Sequence, residues 1–363
     1  MRIAIDAREL VGHTTGVGRY LSELLVEWQA SGARQRHDMT LYCHTATPLV
    51  PEGWADAVRV VPGAGGTRWE QWDFARALGA ERPDVLFAPG YTAPLTCPAP
   101  VALAVHDVSF FAHPEWFSWR EGLRRRLVTA WAARRAAVVL TPSAFSAAEV
   151  VRHIGLEQAR IRLVYIGVRE PAPAVATTAA REPVVLFVGS LFRRRRLDVL
   201  IDAFAAVARE QPLARLEIVG ENRTTPRLDF AASVTARGLD GRVRLRDWVD
   251  DATLDTLYRQ ATVFAFLSQY EGFGFTPLEA MARGAVPVVL DTPVAREIYG
   301  EAAVRVADTP AIVTEVAAAL TSLLTDADAR ARLQQAARPV LASYRWAAAA
   351  ARTLAHVEEA AGV

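Results

Sequence analysis

The sequence predicts an α/β protein built from two doubly wound domains. Three observations lead there. Short apolar runs of the buried parallel-strand kind alternate with amphipathic helical patterns along the chain. One stretch, 170–183, breaks the alternation; it is rich in Pro, Ala and Thr, lacks apolar periodicity and reads as an interdomain linker. Beyond it the alternation restarts, and no repeat is visible other than these two similar halves.

The chain has 363 residues, enough for two domains of ordinary size. With 52% hydrophobic and 22% charged residues, a packed globular protein is expected rather than a disordered one. A net charge of +1 gives no overall pull toward nucleic acid, and no nucleic-acid partner is expected. All 41 basic side chains are Arg, so any cationic contact to phosphate is a planar, fork-like guanidinium. Cys43 and Cys97 have neither metal-ligand spacing nor a disulfide framework. Met1 runs straight into a strand pattern, and no apolar span has membrane length, so the expected location is cytoplasmic.

The first half opens with a strand at 3–5. The turn VGHTTGVG at 11–18 follows, then a helix at 19–29 with Tyr20, Leu21, Leu24, Leu25 and Trp28 as its apolar stripe. Taken alone, Gly16 and Gly18 read as tight-turn residues. Further strands are expected at 39–43, 58–61 and 85–87. The strand at 101–105 ends in His106-Asp107; a histidine at a strand's carboxyl end is either a satisfied core residue or a ligand contact. The stretch from Trp116 to Arg135 holds Trp116, Phe117 and Trp119, then Arg120, Arg124, Arg125 and Arg126. It reads as a solvated helix face, or as a surface meeting anionic lipid or a pyrophosphate-linked acceptor. A strand at 138–141 and a helix opening near Ser143 complete this half.

The second half restarts with a strand at 184–188, the segment GSLFRRRR and a helix at 197–209. Four consecutive arginines between a strand end and a helix start repel one another unless an anion is present, and a diphosphate at a helix N-terminus would relieve that. Strands at 216–219 and 243–245 precede the loop Arg246-Asp247-Trp248-Val249. The chain is centred on SQYEGFGFTPLEAMARGAVP at 268–287, between strands at 263–267 and 286–290. Thr276 as N-cap, Pro277 at the first helical position and Glu279 closing a capping box give a helix start, with Gly284 as its stop. Gly272 and Gly274 let backbone approach a ligand closely. Tyr344-Arg345-Trp346 opens an alanine-rich C-terminal helix.

Glu271 and Glu279, within EGFGFTPLEAMARGAVPVV, form a Glu-x7-Glu pattern that closely resembles the donor-site signature of retaining glycosyltransferases of the GT-B fold, in the large family-4 group. The resemblance covers nearly the whole chain. It implies two Rossmann-like domains facing a central cleft: 1–169 with the returning helix 344–363 on the acceptor side, and 184–343 on the donor side. It implies that Glu271 contacts the donor sugar and Glu279 the ribose. It places His106, in HDVSFFAHPEWF, next to the sugar, and Gly16 and Gly18 near phosphate and acceptor. The arginine loop departs from the family's pattern: Ser190 replaces the first basic residue, Arg195 stands at the usual lysine position, and Arg194 compensates. Backbone amides of Gly272, Phe273, Gly274 and Phe275 assist Arg194 and Arg195 on the leaving diphosphate. Trp248 borders the base, and Asp247 stands where the family has glycine, so the base is not carried over.

The implied reaction is transfer of a hexose from a nucleotide-diphosphate sugar to a hydroxyl of a glycan or lipid-linked acceptor, with GDP-mannose the first candidate donor and a UDP-hexose the alternative. No cofactor and no metal are expected. Peripheral contact with anionic membrane at the inner face of the cell membrane is the further partner expected, through 116–135. A cofactor-dependent phosphorylase would need a Schiff-base lysine, which the chain lacks. A nucleotide-binding oxidoreductase would carry Gly-x-Gly-x-x-Gly after its first strand, and none is there. An epimerase and a silent nucleotide-sugar binding protein stay as rivals.

Overall fold

The structure is a computed structural model describing residues 1–12, 16–46, 48–169 and 182–362. The linker expected at 170–183 falls, over 170–181, outside the described residues. The chain divides into two compact units: Met1–Gly167 together with Tyr344–Val363, and Val168–Ser343.

The first unit carries a seven-stranded, all-parallel sheet of β1 (Arg2–Asp6), β2 (Asp38–Cys43), β3 (Val58–Val60), β4 (Val85–Ala88), β5 (Val101–Ala104), β6 (Val138–Thr141) and β7 (Ile161–Leu163). The spatial order is 3-2-1-4-5-6-7, so the order reverses between β1 and β4. Ile3 lies opposite both Met39 and Val85 in register. β4, β5 and β6 are buried along their whole length, which is why each reads as an unbroken apolar run. The C-terminal helix Trp346–Ala360 belongs to this unit. Its small alanines let it pack closely on the first helix, and Trp28 Nε1 donates to the Ala350 carbonyl at 2.9 Å.

The second unit carries a six-stranded parallel sheet of β8 (Val184–Val188), β9 (Arg215–Val219), β10 (Val243–Arg246), β11 (Val263–Phe266), β12 (Val286–Leu290) and β13 (Val304–Val306). Its order is 10-9-8-11-12-13. β8 pairs with β9 on one side and β11 on the other, so the order reverses at β8 and β11. In open α/β sheets ligands bind beyond the carboxyl ends of the strands, where the order reverses. The arginine loop follows β8 and the Glu271 loop follows β11. Strand order alone therefore makes these two loops neighbours.

Three expectations are corrected. The first helix spans Gly16–Ala30, so Gly16 and Gly18 are helical residues and not part of the turn, with Gly18 buried. The helix of the central motif spans Phe275–Ala282 and starts from Gly274 in the left-handed region. Thr276 is therefore its second residue, not its N-cap, and no capping box forms. β7 and β13 are not among the expected strands; each is three residues long with an arginine at its centre, at a sheet edge, features that β3, which is expected, shares.

Candidate functional site

The second unit brings the arginine loop and the Glu271 loop together at one carboxylate. Arg193–Arg195 forms a short 3-10 turn ahead of the helix Leu197–Glu210. Arg195 Nε donates to Glu271 Oε1 at 3.2 Å, and Arg194 Nη2 lies 3.6 Å from the same oxygen. Ser268 Oγ donates to it as well, at 2.8 Å. Arg195 Nη1 reaches back to the Ser190 carbonyl at 3.0 Å. The two loops are also laced by backbone, with Gln269 N donating to Arg194 O at 2.9 Å and Arg194 Nε donating to Tyr270 O at 3.2 Å. Arg196 turns away to Asp308, at 2.8 Å. The self-repulsion of the arginine run is thus met in part by protein carboxylates. Glu271, which the resemblance assigns to the donor sugar, also holds both guanidiniums.

Arg195 lies over the ring of Phe266, 5.1 Å from its centroid. Burial lowers its pKa below that of a free guanidinium, and Glu271 opposes that shift. A Cβ on Gly189 would collide with Arg195 Nη1, so glycine is required there for the arginine to fold back. Gly272 and Phe273 are buried, and Gly274 and Phe275 half-buried. At Gly274 φ is +85°, a conformation that suits glycine. The first helical amides after it define a helix start of the kind that favours anions.

Glu279 faces inward. It is 3% exposed, and Tyr258 Oη donates to its Oε2 at 3.0 Å. Arg283 packs over the Tyr258 ring and donates to the Glu279 carbonyl at 3.2 Å. Trp248 lies on another loop and is 72% exposed. Beside it a pocket of about 440 Å³ opens at the carboxyl ends of β9 and β10. Its walls are apolar at Leu191, Ile218, Phe230 and Leu245, with Asn222 and Asp247 among its polar lining. Among the described residues the Asp247 carboxylate has no hydrogen-bond or ion partner.

His106, Gly16 and Gly18 lie in the first unit. His106 follows β5 and its Nε2 is 2.7 Å from the Pro89 carbonyl. A nitrogen facing a carbonyl oxygen carries the proton. Burial holds the His106 pKa below its usual value, against the opposing pull of Pro89 and Asp107. The imidazole is therefore neutral at pH 7, edge-on to Tyr20 at 4.9 Å and to Tyr91 at 5.6 Å.

Residues that the sequence reading missed surround both switch points. Ser268, Tyr258 and Tyr299 support the second unit's loops. In the first unit, a buried cluster sits where β1 and β4 end. Arg8 is 3.0 Å from Asp6 and 2.5 Å from Glu70, and Thr92 Oγ1 donates to Glu70 at 2.6 Å. The charge at the end of a buried strand (Asp6, then Arg8 two positions on) was the available signal.

Two family models match the chain, Glycosyl transferases group 1 over residues 168–340 and Glycosyltransferase Family 4 over 14–170. Among curated relatives, the mannosylfructose-phosphate synthase of Agrobacterium fabrum is 39% identical over 112 residues, covering 29% of this chain and 25% of the relative. The GDP-mannose:cellobiosyl-diphosphopolyprenol alpha-mannosyltransferase of Xanthomonas oryzae is 31% identical over 136 residues, covering 37% of this chain and 35% of that one. The O-antigen chain mannosyltransferase B of Escherichia coli is 26% identical over 208 residues, covering 54% of each. The matched part thus spans a quarter to about half the length of these relatives. In fold, Anabaena HepE in complex with UDP-glucose superposes with a TM-score of 0.75 at 19% identity, covering 99% of this chain and 100% of that chain. WaaG, involved in lipopolysaccharide biosynthesis, superposes with a TM-score of 0.75 at 17% identity, covering 98% and 99%.

Proposed function

The chain belongs to the group 1, family-4 glycosyltransferases of GT-B fold, and we propose that it moves a hexose from a nucleotide-diphosphate sugar to a hydroxyl of a glycan or lipid-linked acceptor, with retention at the anomeric carbon. The observation that carries this reading is the meeting of Arg194, Arg195 and Glu271 where the second sheet reverses its order. Arg195 uses Nε and Nη1 within the protein, so Nη2 remains to meet a diphosphate. The two guanidiniums stabilise charge that grows on the leaving diphosphate, in a site fixed before the donor arrives. Glu271 accepts from sugar hydroxyls, and the 272–275 backbone lines the diphosphate. The neutral imidazole of His106 suits a sugar hydroxyl better than a phosphate. Glu279, held by Tyr258, serves the ribose side. The unit with β8 to β13 is the donor domain in this reading, and the unit with β1 to β7 takes the acceptor. The test is release of nucleoside diphosphate from a sugar nucleotide with glycans and lipid-linked glycans as acceptors. Binding without turnover would make the chain a silent binding protein; product formed without acceptor would make it an epimerase.

The donor favoured is GDP-mannose. Asp247 lines the pocket beside Trp248 with an unpaired carboxylate. Such a group matches the adjacent N1–H and N2–H donors of guanine and repels the carbonyl oxygens that flank the single N–H of uracil. The names of the Xanthomonas and Escherichia coli relatives, a GDP-mannose-dependent and a mannosyl transferase, are consistent with this. By calorimetry GDP is expected to bind at least tenfold tighter than UDP, a difference of about 1.4 kcal/mol. Asp247→Asn should remove most of the preference. A wild-type protein that prefers UDP would reverse the assignment.

The helix Trp119–Arg135 is proposed to rest on anionic membrane. Trp119, Leu123, Leu127 and Trp131, each four positions from the next, are all exposed, and Trp119 is 71% so. Arginines flank the stripe, and the only acidic residue of the helix, Glu121, is engaged by Arg124 and Arg125. An apolar line edged with cations fits an anionic lipid surface. No helix among the described residues is long and apolar enough to cross a membrane. Co-sedimentation with phosphatidylglycerol vesicles should be strong at low salt and weak at 1 M, where the Debye length is about 3 Å. Absence of binding at low salt would remove the proposal.

A further inference from the structure

We infer that Tyr299 is a positioning residue that aims the glycine loop at the donor. The inference rests on the reading of that loop as the donor site. Tyr299 ends the helix Pro293–Tyr299 and is almost completely buried. Its hydroxyl donates to the Gly274 carbonyl at 3.0 Å and lies 3.5 Å from the Phe273 carbonyl. A Cβ at residue 274 would collide with that hydroxyl. Glycine at 274 and tyrosine at 299 therefore fit one another: the absence of a side chain at one makes room for the phenol of the other.

A hydroxyl buried this deeply needs its acceptor, and leaving it without one would be costly. The bond it makes is to a residue that could otherwise adopt many backbone conformations. A peptide is planar and trans, so its C=O and N–H point to opposite edges. Holding the Gly274 carbonyl thus fixes the plane of the Gly274–Phe275 peptide and the direction of the first amide of the helix Phe275–Ala282. Tyr299 belongs to neither loop of the site, being the last residue of the helix Pro293–Tyr299. Its spacing from the Glu-x7-Glu pattern is not part of that motif, so the sequence alone carries no sign of the role.

The test is Tyr299→Phe, which keeps the ring and removes one hydroxyl. GDP and GDP-mannose are the probes, with UDP and UDP-glucose in parallel. Each rate is expressed per folded molecule, with the folded fraction taken from circular dichroism. Displacement of a reacting geometry by about an ångström costs on the order of a hundredfold in rate. Release of nucleoside diphosphate from the sugar nucleotide should fall at least tenfold, while affinity for the nucleoside diphosphate, held mainly by Arg194 and Arg195, changes by no more than about threefold. A residue that only fills space would leave kcat at the wild-type value in this variant, and that result would overturn the inference. If the wild-type protein itself binds neither GDP nor UDP, the donor-site reading fails instead, and the two failures are told apart by the wild-type titration.

Discussion

Arg195→Ala should weaken nucleoside diphosphate binding by one to two orders of magnitude. A hydrogen bond to a charged group contributes roughly 1.5–3 kcal/mol, and each 1.4 kcal/mol is about tenfold. Arg195 is held by Glu271, by the Ser190 carbonyl and by the face of Phe266, so its guanidinium is placed before any ligand arrives. Preorganisation of that kind makes the loss large. Glu271→Gln should behave differently. It keeps the shape of the side chain and removes the charge that currently engages both guanidiniums. Affinity for the bare nucleoside diphosphate should stay level or rise, because a competing anion has gone. Turnover should fall by orders of magnitude, because the sugar hydroxyls then meet a neutral amide oxygen, a weaker acceptor than the carboxylate. Calorimetry and a transfer assay on both variants decide it. If Glu271→Gln transfers sugar at the wild-type rate, or loses affinity as badly as Arg195→Ala, the roles assigned to these residues are wrong.

That pair also shows where legibility in the sequence stops. Both loops could be found, because parallel strands buried on two faces read as apolar runs and the residues after them are distinctive. Their contact could not, since Arg195 and Glu271 lie 76 positions apart and meet only because β8 and β11 are adjacent. The helix start was misplaced for a different reason. Thr276-Pro277-Leu278-Glu279 satisfies the side-chain rules for a cap, but Gly274 takes a left-handed φ and begins the helix earlier. Side-chain types do not reveal which glycine makes that turn. Tyr258 and Tyr299 were invisible because an interior tyrosine is ordinary core until its hydroxyl is seen to have a functional partner.

Arg8→Ala should be among the most destabilising single changes in the first unit. Asp6 and Glu70 are both buried, and Arg8 is the cation between them. Removing one partner of a buried ion pair typically costs about 3–5 kcal/mol, because the remaining charge is stranded. For a domain of this size that corresponds to a fall in melting temperature of roughly 10 °C. If the cost comes from stranded carboxylates, neutralising them should recover part of it, so Arg8→Ala with Asp6→Asn and Glu70→Gln should melt above Arg8→Ala alone. The cluster also has a pH signature. Burial raises the Asp6 pKa from 3.8 to about 6; Arg8 opposes the rise, and Glu70 and Glu9 add to it. A carboxyl whose folded pKa is raised binds more protons folded than unfolded, so its contribution to stability is present below about pH 4 and is lost as pH rises through about 6. His106, whose folded pKa is lowered, works in the opposite sense at acidic pH. The comparison that isolates Asp6 is therefore the change in melting temperature between pH 5 and pH 7 in wild type against Asp6→Asn. On moving from pH 7 to pH 5, the wild-type protein should gain several degrees relative to the variant. Parallel curves for the two proteins would mean that Asp6 is already charged at pH 5, and that Arg8 compensates both carboxylates in full.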